Sequence, residues 1–338
     1  MRIFVCEFIT GGGLYREPMA PTLAKEGMLM RDALLSDLSA LLDVELTTTY
    51  DLRLKAPLYG CQAIPIQMQD DVWQVWAECI QQADAVWLIT PETGGLLTRL
   101  TKLVAQYNKP LLGCSVTAVE IASSKLLTCK TLSDAGIATL PTYHFAEWLQ
   151  CRPEAVDGWV AKMDDGAGCE ESAYFRDATA LSEWMQSRKS THVIQAYQPG
   201  QPASISMLCR HGQAWLLSCN LQKISIVQGR FCYSGSVING MAEHWGAFEG
   251  IVQQVAQALP GLAGYVGIDL IVGTDDSILV LEINPRLTTS YVGLHSAIKY
   301  NPAQLVLELL NYNKALVMNE AFVMPDIARH KVEVSLHA

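Results

Sequence analysis

Two acidic side chains interrupt an otherwise apolar, β-rich segment, residues 265–286. With 274–277 as the turn, symmetric folding of this segment predicts a hairpin in which Asp269 faces Glu282 and Asn284 points to the same side. Directly opposed side chains have Cβ atoms about 5 Å apart, where two carboxylates repel each other unless a cation compensates. Two carboxylates and an amide oxygen suit a hard divalent ion such as Mg²⁺. The alternative is a register slip or bulge that turns one of the two acids to solvent.

Two lysines have neighbours that suit a phosphate site. Lys162 closes an apolar strand and precedes a loop that contains Gly166 and Gly168. The backbone N–H groups of such a loop, together with one ammonium group, can surround a polyphosphate. Lys125, at the start of a predicted helix, is a second candidate cation for the same phosphates. Each lysine taken alone is equally well explained as a solvated residue.

Residues 192–197 form a predicted strand that carries Gln195 and Tyr197. The strand runs into the sequence Gln-Pro-Gly-Gln-Pro, which breaks it. We interpret this stretch as a hinge whose backbone recognises the edge of a purine.

The elements that would position these groups fall into two regions. Residues 1–120 alternate short apolar strands with helices, which predicts an α/β domain with a parallel sheet. Two strands of this region end in glycine-containing loops, 10–13 and 91–95, at the sheet edge where ligands bind. The first loop reads Gly-Gly-Gly and not Gly-x-Gly-x-x-Gly, which argues against a nicotinamide-dependent oxidoreductase. After about residue 120, strands and helices segregate and predict α+β structure on antiparallel sheets.

Composition argues against several classes of protein. The chain has 338 residues, of which 50% are hydrophobic and 17% are charged, as expected of a well-packed globular protein. A formal net charge of -10, without a cluster of Lys and Arg, argues against a nucleic-acid partner. We find no apolar run of about 18 residues to span a membrane, and residues 1–8 are too short for a signal peptide. The 10 cysteines include no Cys-x-x-Cys pair, so we expect reduced thiols and a cytoplasmic location.

Taken in chain order, these features resemble the ATP-grasp superfamily: a lysine before a helix, a lysine before a glycine loop, a hinge strand and a hairpin ending in Glu-Ile-Asn-Pro-Arg. Members of that superfamily hold ATP between two α+β subdomains that follow an α/β domain. The resemblance covers nearly the whole chain. It implies an α/β domain at 1–120, a small subdomain with the glycine loop at 121–198, and a carboxyl-terminal subdomain with the metal site at 199–338.

The resemblance also implies roles for individual residues. ATP and Mg²⁺ would be the cofactors, with Mn²⁺ as an alternative ion, and the implied catalytic residues are Arg286 and Lys162. The residues implied to contact ATP are Lys125, Lys162, Gly166, Gly168, Gln195, Tyr197 and Gln201, and the implied metal ligands are Asp269, Glu282 and Asn284. Many members have a glutamate after the hinge glycine that holds the ribose. Residues 200–204 contain no acid, which leaves that role to Gln201 or Ser204.

Within the superfamily, the segments 7–13, 90–95 and 284–291 look most like the tyramine-glutamate ligases of methanofuran biosynthesis and their bacterial relatives. This narrower likeness implies substrate-binding residues at Glu7, Thr10, Gly11, Gly12, Glu92, Arg230 and Thr288. Other polar residues would face the same acceptor site, although any polar sheet face looks alike, namely Asn220, Gln222, Lys223 and Tyr233. Two histidines are alternative bases for the amine, although a lone histidine is more often structural, namely His244 and His295.

The implied reaction joins a carboxylate to an amine, both of them small molecules. Transfer of the γ-phosphoryl group of ATP to glutamate gives an acyl phosphate, which tyramine or tyrosine attacks to form an amide. We expect no nucleic-acid or membrane partner, and a homodimer stays open. Two other functions also stay open: a non-catalytic ATP-binding regulator or scaffold, and an ATP-dependent carboxylase that phosphorylates bicarbonate.

Overall fold

The amino-terminal region builds a parallel four-stranded sheet. The structure, a computed structural model, describes residues 1–169, 171–188, 191–310 and 322–336. The strands of this sheet are β1 (Arg2–Glu7), β2 (Glu45–Asp51), β3 (Gln62–Ile66) and β4 (Ala85–Ile89). They are ordered β3-β2-β1-β4, and each neighbouring pair is parallel. The predicted α/β fold with a parallel sheet is confirmed, and the carboxyl ends of its strands share one edge.

Helices pack against this sheet through the apolar side chains that recur at helical spacing. They are α1 (Pro21–Ser39), α2 (Val72–Gln82) and α3 (Leu96–Gln106), followed by the short α4 (Val116–Ala122). Leu34 and Leu38 of α1 are fully buried. The helix α2 begins after Asp71, whose carboxylate accepts hydrogen bonds from the backbone N–H groups of Trp73 and Gln74.

The rest of the chain forms a ten-stranded sheet. Its strands are β5 (Thr142–His144), β6 (Trp159–Met163), β7 (Ala173–Phe175), β8 (His192–Ala196), β9 (Gln201–Arg210), β10 (Gln213–Val227), β11 (Arg230–Ile238), β12 (Gly264–Val272), β13 (Ile278–Asn284) and β14 (Val332–Ser335). They are ordered β13-β12-β9-β10-β11-β7-β6-β8-β5, with β14 paired to β11, and their pairings are antiparallel. The predicted α+β structure is confirmed. The ten-stranded sheet has two parts, one formed by β5–β8 and the other by β9–β14. They meet at one register pair, Arg230 with Ala173, where β11 joins β7.

Six helices accompany this second sheet within the described residues. They are α5 (Lys125–Asp134), α6 (Phe145–Cys151), α7 (Ala178–Gln186), α8 (Trp245–Ala258), α9 (Tyr291–Ile298) and α10 (Pro302–Leu309). Asn301 caps α10 by accepting a hydrogen bond from the backbone N–H of Gln304. None of the helices seen in the described ranges is long and apolar enough to cross a membrane.

The glycine-rich loop after β1 folds into one tight helical turn over Ile9–Gly13. The buried carboxylate of Glu7 accepts hydrogen bonds from the backbone N–H groups of Ile9 at 3.1 Å and Thr10 at 2.6 Å. Gly12 has a φ of 106°, and a Cβ atom there would approach Ile66 to 2.7 Å, so the turn requires glycine at this position.

Thr49 fastens the same turn to the sheet. Its hydroxyl donates to the carbonyl of Gly11 at 2.8 Å and accepts from the indole N–H of Trp76 at 3.0 Å. Thr49→Val keeps the shape of the side chain but leaves both buried partners unsatisfied. We expect the free energy of unfolding to fall by about 2–4 kcal/mol, measured by urea denaturation. The matched control is Thr22→Val at an exposed position of α1, and equal effects of the two variants would contradict the role of Thr49.

Candidate active site

A β-bulge in the β12–β13 hairpin brings Asp269 opposite Glu282. Next to the turn the strands pair one residue earlier than symmetric folding predicts, because Leu270 pairs with Val280. The register then shifts by one residue at Leu281, and Asp269 pairs with Glu282. The predicted pairing of the two acids is therefore confirmed, but it depends on a bulge that the sequence analysis treated as its alternative.

Asp269 lies at the centre of a buried polar cluster. Its Oδ1 accepts a hydrogen bond from the amide of Gln222 at 2.8 Å, and its Oδ2 accepts one from the amide of Asn284 at 3.1 Å. Burial, followed by repulsion from the Glu282 carboxylate, raises the pKa of Asp269 to about 8. The two carboxyl groups therefore resist ionising together, which is the electrostatic conflict expected from the sequence.

Glu282 faces the two lysines that the sequence analysis selected from separate segments. Its Oε2 lies 3.3 Å from Nζ of Lys125 and 3.9 Å from Nζ of Lys162. Burial opposes ionisation of Glu282, but the two ammonium groups outweigh burial and lower the pKa of this carboxyl. Burial also lowers the pKa of Lys162. Two cations and two carboxyl groups thus share one small, largely dehydrated volume.

The glycine loop after β6 connects this cluster to the amino-terminal region. The carbonyl of Gly166 accepts a hydrogen bond from the Lys125 ammonium at 2.7 Å. The neighbouring Asp165 carboxylate accepts one from the backbone N–H of Gly94 at 2.8 Å. Gly168 has a φ of 64° and lines the cleft described below. The loop therefore lies between the lysines and the loop 91–95.

The chemistry of the cluster fits a divalent cation. A cation beside Asp269 and Glu282 would remove the repulsion that suppresses their joint ionisation. With Asn284, the two carboxylates offer the oxygen donors that a hard ion prefers. The part of the chain that the structure describes contains no group of three or more His, Cys, Asp or Glu side chains arranged to hold a metal, so this cluster offers two carboxylates and an amide only.

A cleft of about 470 Å³ opens beside the cluster, a volume in the usual range for a small-molecule site. Its apolar lining comes from both parts of the ten-stranded sheet and includes Leu140, Val160, Ala196, Ile271 and Leu281. Gln195 and Tyr197 line it as well. The Gln195 amide donates to the hydroxyl of Thr142 at 2.8 Å, so this side chain is engaged within the protein. A contact with a purine edge would therefore fall to the backbone of the hinge.

Of the two candidate ribose contacts, Ser204 is the one that lines the cleft. Ser204 is buried, and its residue pairs in register with Asp269. Gln201 is exposed and lies outside the cleft lining, and its amide donates to the carbonyl of Pro202 at 3.2 Å. The geometry therefore favours Ser204 over the predicted Gln201.

Arg286 forms an ion pair with Glu92 that joins the two regions of the chain. The Nη2–Oε2 distance is 2.8 Å, and the side chains are only 11% and 6% exposed. Nη1 also donates to the carbonyl of Leu287 at 3.0 Å. The Nε–H of Arg286 is buried and has no hydrogen-bond partner among the described residues, and Arg286 is one of the residues that line the cleft.

The other predicted acceptor residues differ in position. Thr288 lines the cleft and shares a hydrogen bond with the hydroxyl of Tyr265 at 3.0 Å. Arg230 is exposed beside β7 and lies outside the cleft lining. Four residues of the amino-terminal turn are buried and also lie outside it, namely Glu7, Thr10, Gly11 and Gly12. These four residues would therefore affect a bound substrate only indirectly, through the neighbouring elements that the turn supports.

The other polar residues expected to face the acceptor site, and the two candidate histidines, also differ in position. Gln222 and Tyr233 line the cleft, whereas Asn220 is buried beneath it and donates to the hydroxyls of Ser204 and Ser206. The remaining three lie outside the cleft lining: Lys223 pairs with Glu333 at 2.5 Å, His295 pairs with Asp37 at 2.6 Å, and His244 stacks on Phe248. Among the charged residues that line the cleft in the described ranges, one was not predicted, Glu26 of α1.

Comparisons with known proteins agree with this geometry. Residues 122–290 match the ATP-grasp domain family, and residues 44–119 match the pre ATP-grasp 3 domain. The chain belongs to the ATP-grasp family. Members of this family bind ATP together with a divalent metal ion. In this ATP-grasp protein, the first match covers Lys125, Lys162 and the carboxylate pair of Asp269 and Glu282.

Two similar proteins are tyramine–L-glutamate ligases of Methanocaldococcus. The protein from Methanocaldococcus fervens is 28% identical over 233 residues, and that from Methanocaldococcus jannaschii is 29% identical over 234 residues. Each match covers 69% of the ATP-grasp chain described here, and 67% and 64% of the respective relative. The chain thus matches about two thirds of the length of these relatives.

Solved structures share the fold at low sequence identity. An ATP-grasp superfamily protein from Archaeoglobus fulgidus has a TM-score of 0.69 at 19% identity and covers 99% of this ATP-grasp chain and 100% of its own. The L-amino acid ligase from Bacillus licheniformis has a TM-score of 0.65 at 18% identity, covering 91% of this chain and 73% of its own. At these identities the likeness establishes the fold alone.

Proposed function

We propose that this protein is an ATP-dependent carboxylate–amine ligase that joins glutamate to tyramine or tyrosine. One observation carries the proposal: a single cleft is lined by a lysine, a pair of opposed carboxylates and an arginine, namely Lys162, Asp269 with Glu282, and Arg286. The names of the two similar Methanocaldococcus ligases support the choice of glutamate and an aromatic amine.

The first half of the reaction forms an acyl phosphate. A carboxylate oxygen of glutamate attacks the γ-phosphorus of ATP, and the bond to ADP breaks. The transferred group carries negative charge on its oxygens, which the ammonium groups of Lys125 and Lys162 neutralise. Arg286, held by Glu92, binds the oxygens of the acyl phosphate at the neighbouring part of the cleft.

The second half forms the amide. The amine nitrogen attacks the acyl carbon, phosphate leaves, and the nitrogen loses its surplus proton. Water would hydrolyse the acyl phosphate before the amine arrives, so the cleft must exclude it. The glycine loop performs this role because Asp165 fastens it to the backbone of Gly94.

We propose that Asp269, Glu282 and Asn284 hold Mg²⁺, with Mn²⁺ as an alternative ion. The bound ion supplies Lewis-acid neutralisation of the phosphate oxygens. We expect that EDTA abolishes ADP release and that added Mg²⁺ or Mn²⁺ restores it. Added Mg²⁺ should also raise the melting temperature, because it relieves the repulsion between the two carboxyl groups. Full turnover in the presence of excess EDTA would contradict the metal site.

The biological setting that we propose is the synthesis of a methanofuran-like cofactor in the cytoplasm, from small-molecule substrates. We retain the division into 1–120, 121–198 and 199–338, of which the family matches at 44–119 and 122–290 support the first boundary. Residues 311–321 and 337–338 of the last unit lie outside the described part of the chain.

The direct test of the proposed function is an ADP-release assay with Mg²⁺, ATP, glutamate and a panel of amines that includes tyramine and tyrosine. We expect ADP release that needs both glutamate and an amine, and an amide product of the matching mass. ATP with amine alone serves as the control. Absence of amide with every amine of the panel would overturn the proposal.

A further inference from the structure

The cleft contains a third carboxylate, away from the metal cluster in sequence and on a different region of the chain. Its acidic lining residues within the described ranges are Asp269, Glu282 and Glu26, and the last of these lies on α1. Asp269 and Glu282 are committed to each other and to the lysines. Glu26 therefore needs an explanation of its own.

No described residue provides Glu26 with a hydrogen bond or an ion pair, although the carboxyl is largely buried. Burial raises the pKa of Glu26, and the positive charge of Arg286 opposes this rise. Arg286 itself directs its Nη2 at Glu92, 2.8 Å away. A buried carboxylate without a bonded partner is costly, and the cost is recovered when a cation binds beside it.

The position of Glu26 is fixed by the next residue. Gly27 is buried, and a Cβ atom there would lie 3.0 Å from both carboxylate oxygens of Glu7. The helix α1 therefore rests directly on Glu7, whose own carboxylate holds the turn after β1. Glu26 is presented to the cleft from a rigid support, as a binding residue must be.

The proposed substrates supply the missing charge. Glutamate carries an α-ammonium group, and the amine substrate enters the cleft as an ammonium ion at neutral pH. The cationic lining residues of the cleft, Lys162 and Arg286, suit phosphates and carboxylates, so an ammonium group needs a separate anion. We propose that Glu26 is the binding site for a substrate ammonium group in this cleft. The inference rests on the proposed function and adds a specificity residue to it.

Glu26→Gln tests this assignment because it removes the charge and keeps the shape. Two pairs of substrates separate the sources of the ammonium group: glutamate against glutarate, which lacks it, and tyramine against hydroxylamine, which is uncharged at neutral pH. We expect KM to rise about 10- to 100-fold for one ammonium substrate, the range for a lost charge-assisted hydrogen bond. Constants for glutarate, hydroxylamine and ATP should stay within about twofold.

Either pair of substrates can identify the ammonium group that Glu26 binds. A rise confined to glutamate assigns Glu26 to the α-ammonium group, and a rise confined to tyramine assigns it to the acceptor amine. Glutarate is measured as a competitive inhibitor if its turnover is slow. Glu26→Asp keeps the charge and should give an intermediate effect, and an unchanged KM for ATP reports an intact fold. The matched control is Glu120→Gln, an exposed glutamate of α4 outside the cleft lining.

Two results would overturn the assignment. Unchanged KM values for glutamate and tyramine in Glu26→Gln, with an active native enzyme, would remove Glu26 and leave the ligase in place. Equal rises for the charged and uncharged members of each pair would show that Glu26 acts through the fold and not on an ammonium group. A native enzyme without glutamate- and amine-dependent ADP release would overturn the proposed function and this inference together.

Discussion

Glu282→Gln is expected to lower kcat/KM by at least about 10³-fold while the protein stays folded. The substitution removes one of two carboxylates from the metal cluster and leaves the ammonium groups of Lys125 and Lys162 without the anion that now lies 3.3 Å and 3.9 Å away. Asp269 then loses its like-charged neighbour and ionises more readily, which replaces much of the lost charge. We therefore expect the free energy of unfolding to fall by less than the about 3–5 kcal/mol that a broken buried ion pair typically costs.

The measurement combines ADP release under saturating Mg²⁺ with denaturation in urea. Glu120→Gln, which removes an exposed carboxylate paired with Lys102, should change neither quantity appreciably. Activity of Glu282→Gln within about tenfold of the native protein would contradict the role of Glu282 in catalysis. A large loss of stability with little loss of activity would mean that the pair of Asp269 and Glu282 has a structural role.

The second large effect is expected at the ion pair between Arg286 and Glu92. Arg286→Met leaves the Glu92 carboxylate buried without its partner, and such a loss typically destabilises a protein by about 3–5 kcal/mol. The double variant Arg286→Met with Glu92→Gln removes both charges, so most of that stability should return. Activity should be lost in both variants, because no guanidinium remains to bind the acyl phosphate.

This contrast separates the structural role of the pair from its chemical role. Stability is measured by urea denaturation and activity by ADP release. Arg2→Met is the matched control, because Arg2 and Asp84 form an ion pair whose side chains are 56% and 48% exposed, and its loss should cost less than about 1 kcal/mol. Native-like turnover of the single variant, or no recovery of stability in the double variant, would refute this interpretation.

The amino-terminal fold could be predicted from sequence because its signals are local. Apolar side chains at helical spacing and short apolar strands give the order of elements, and Asp71 marks the start of α2 through hydrogen bonds to nearby backbone groups. Short strands were harder to detect. The strand β7 has three residues and pairs with β11 at a single position, so neither its length nor its pattern distinguishes it from a loop.

The pairing of Asp269 with Glu282 could also be predicted, but for a reason that was only partly correct. The opposition of Asp269 and Glu282 follows from symmetric folding, yet the structure reaches it through the bulge at Leu281. Without that bulge, the pairing beside the turn would continue and Asp269 would face Leu281. A one-residue bulge has little signature in a single sequence, because it depends on the strands on both sides of the hairpin.

The other residues of the cleft depend on contacts between distant segments. Gln195 was predicted to border adenine, and it lines the cleft while its amide bonds to Thr142, 53 positions away. Glu26 lies in α1, where the recurring apolar residues predict a helix but indicate no role for Glu26. Its exposure to a cleft formed largely by residues 140–290 is a tertiary property. Local sequence patterns therefore identified the charged residues that contact one another, but they missed Glu26.

The most direct test follows a heavy oxygen isotope from the carboxylates of glutamate. An acyl phosphate made at the expense of ATP must transfer one carboxylate oxygen to the phosphate that is released when the amine attacks. Mass spectrometry of the products should find one heavy oxygen in inorganic phosphate, one in the amide group and two in the unreacted carboxylate, together with ADP. Phosphate free of the label, or AMP and pyrophosphate as products, would contradict the proposed reaction.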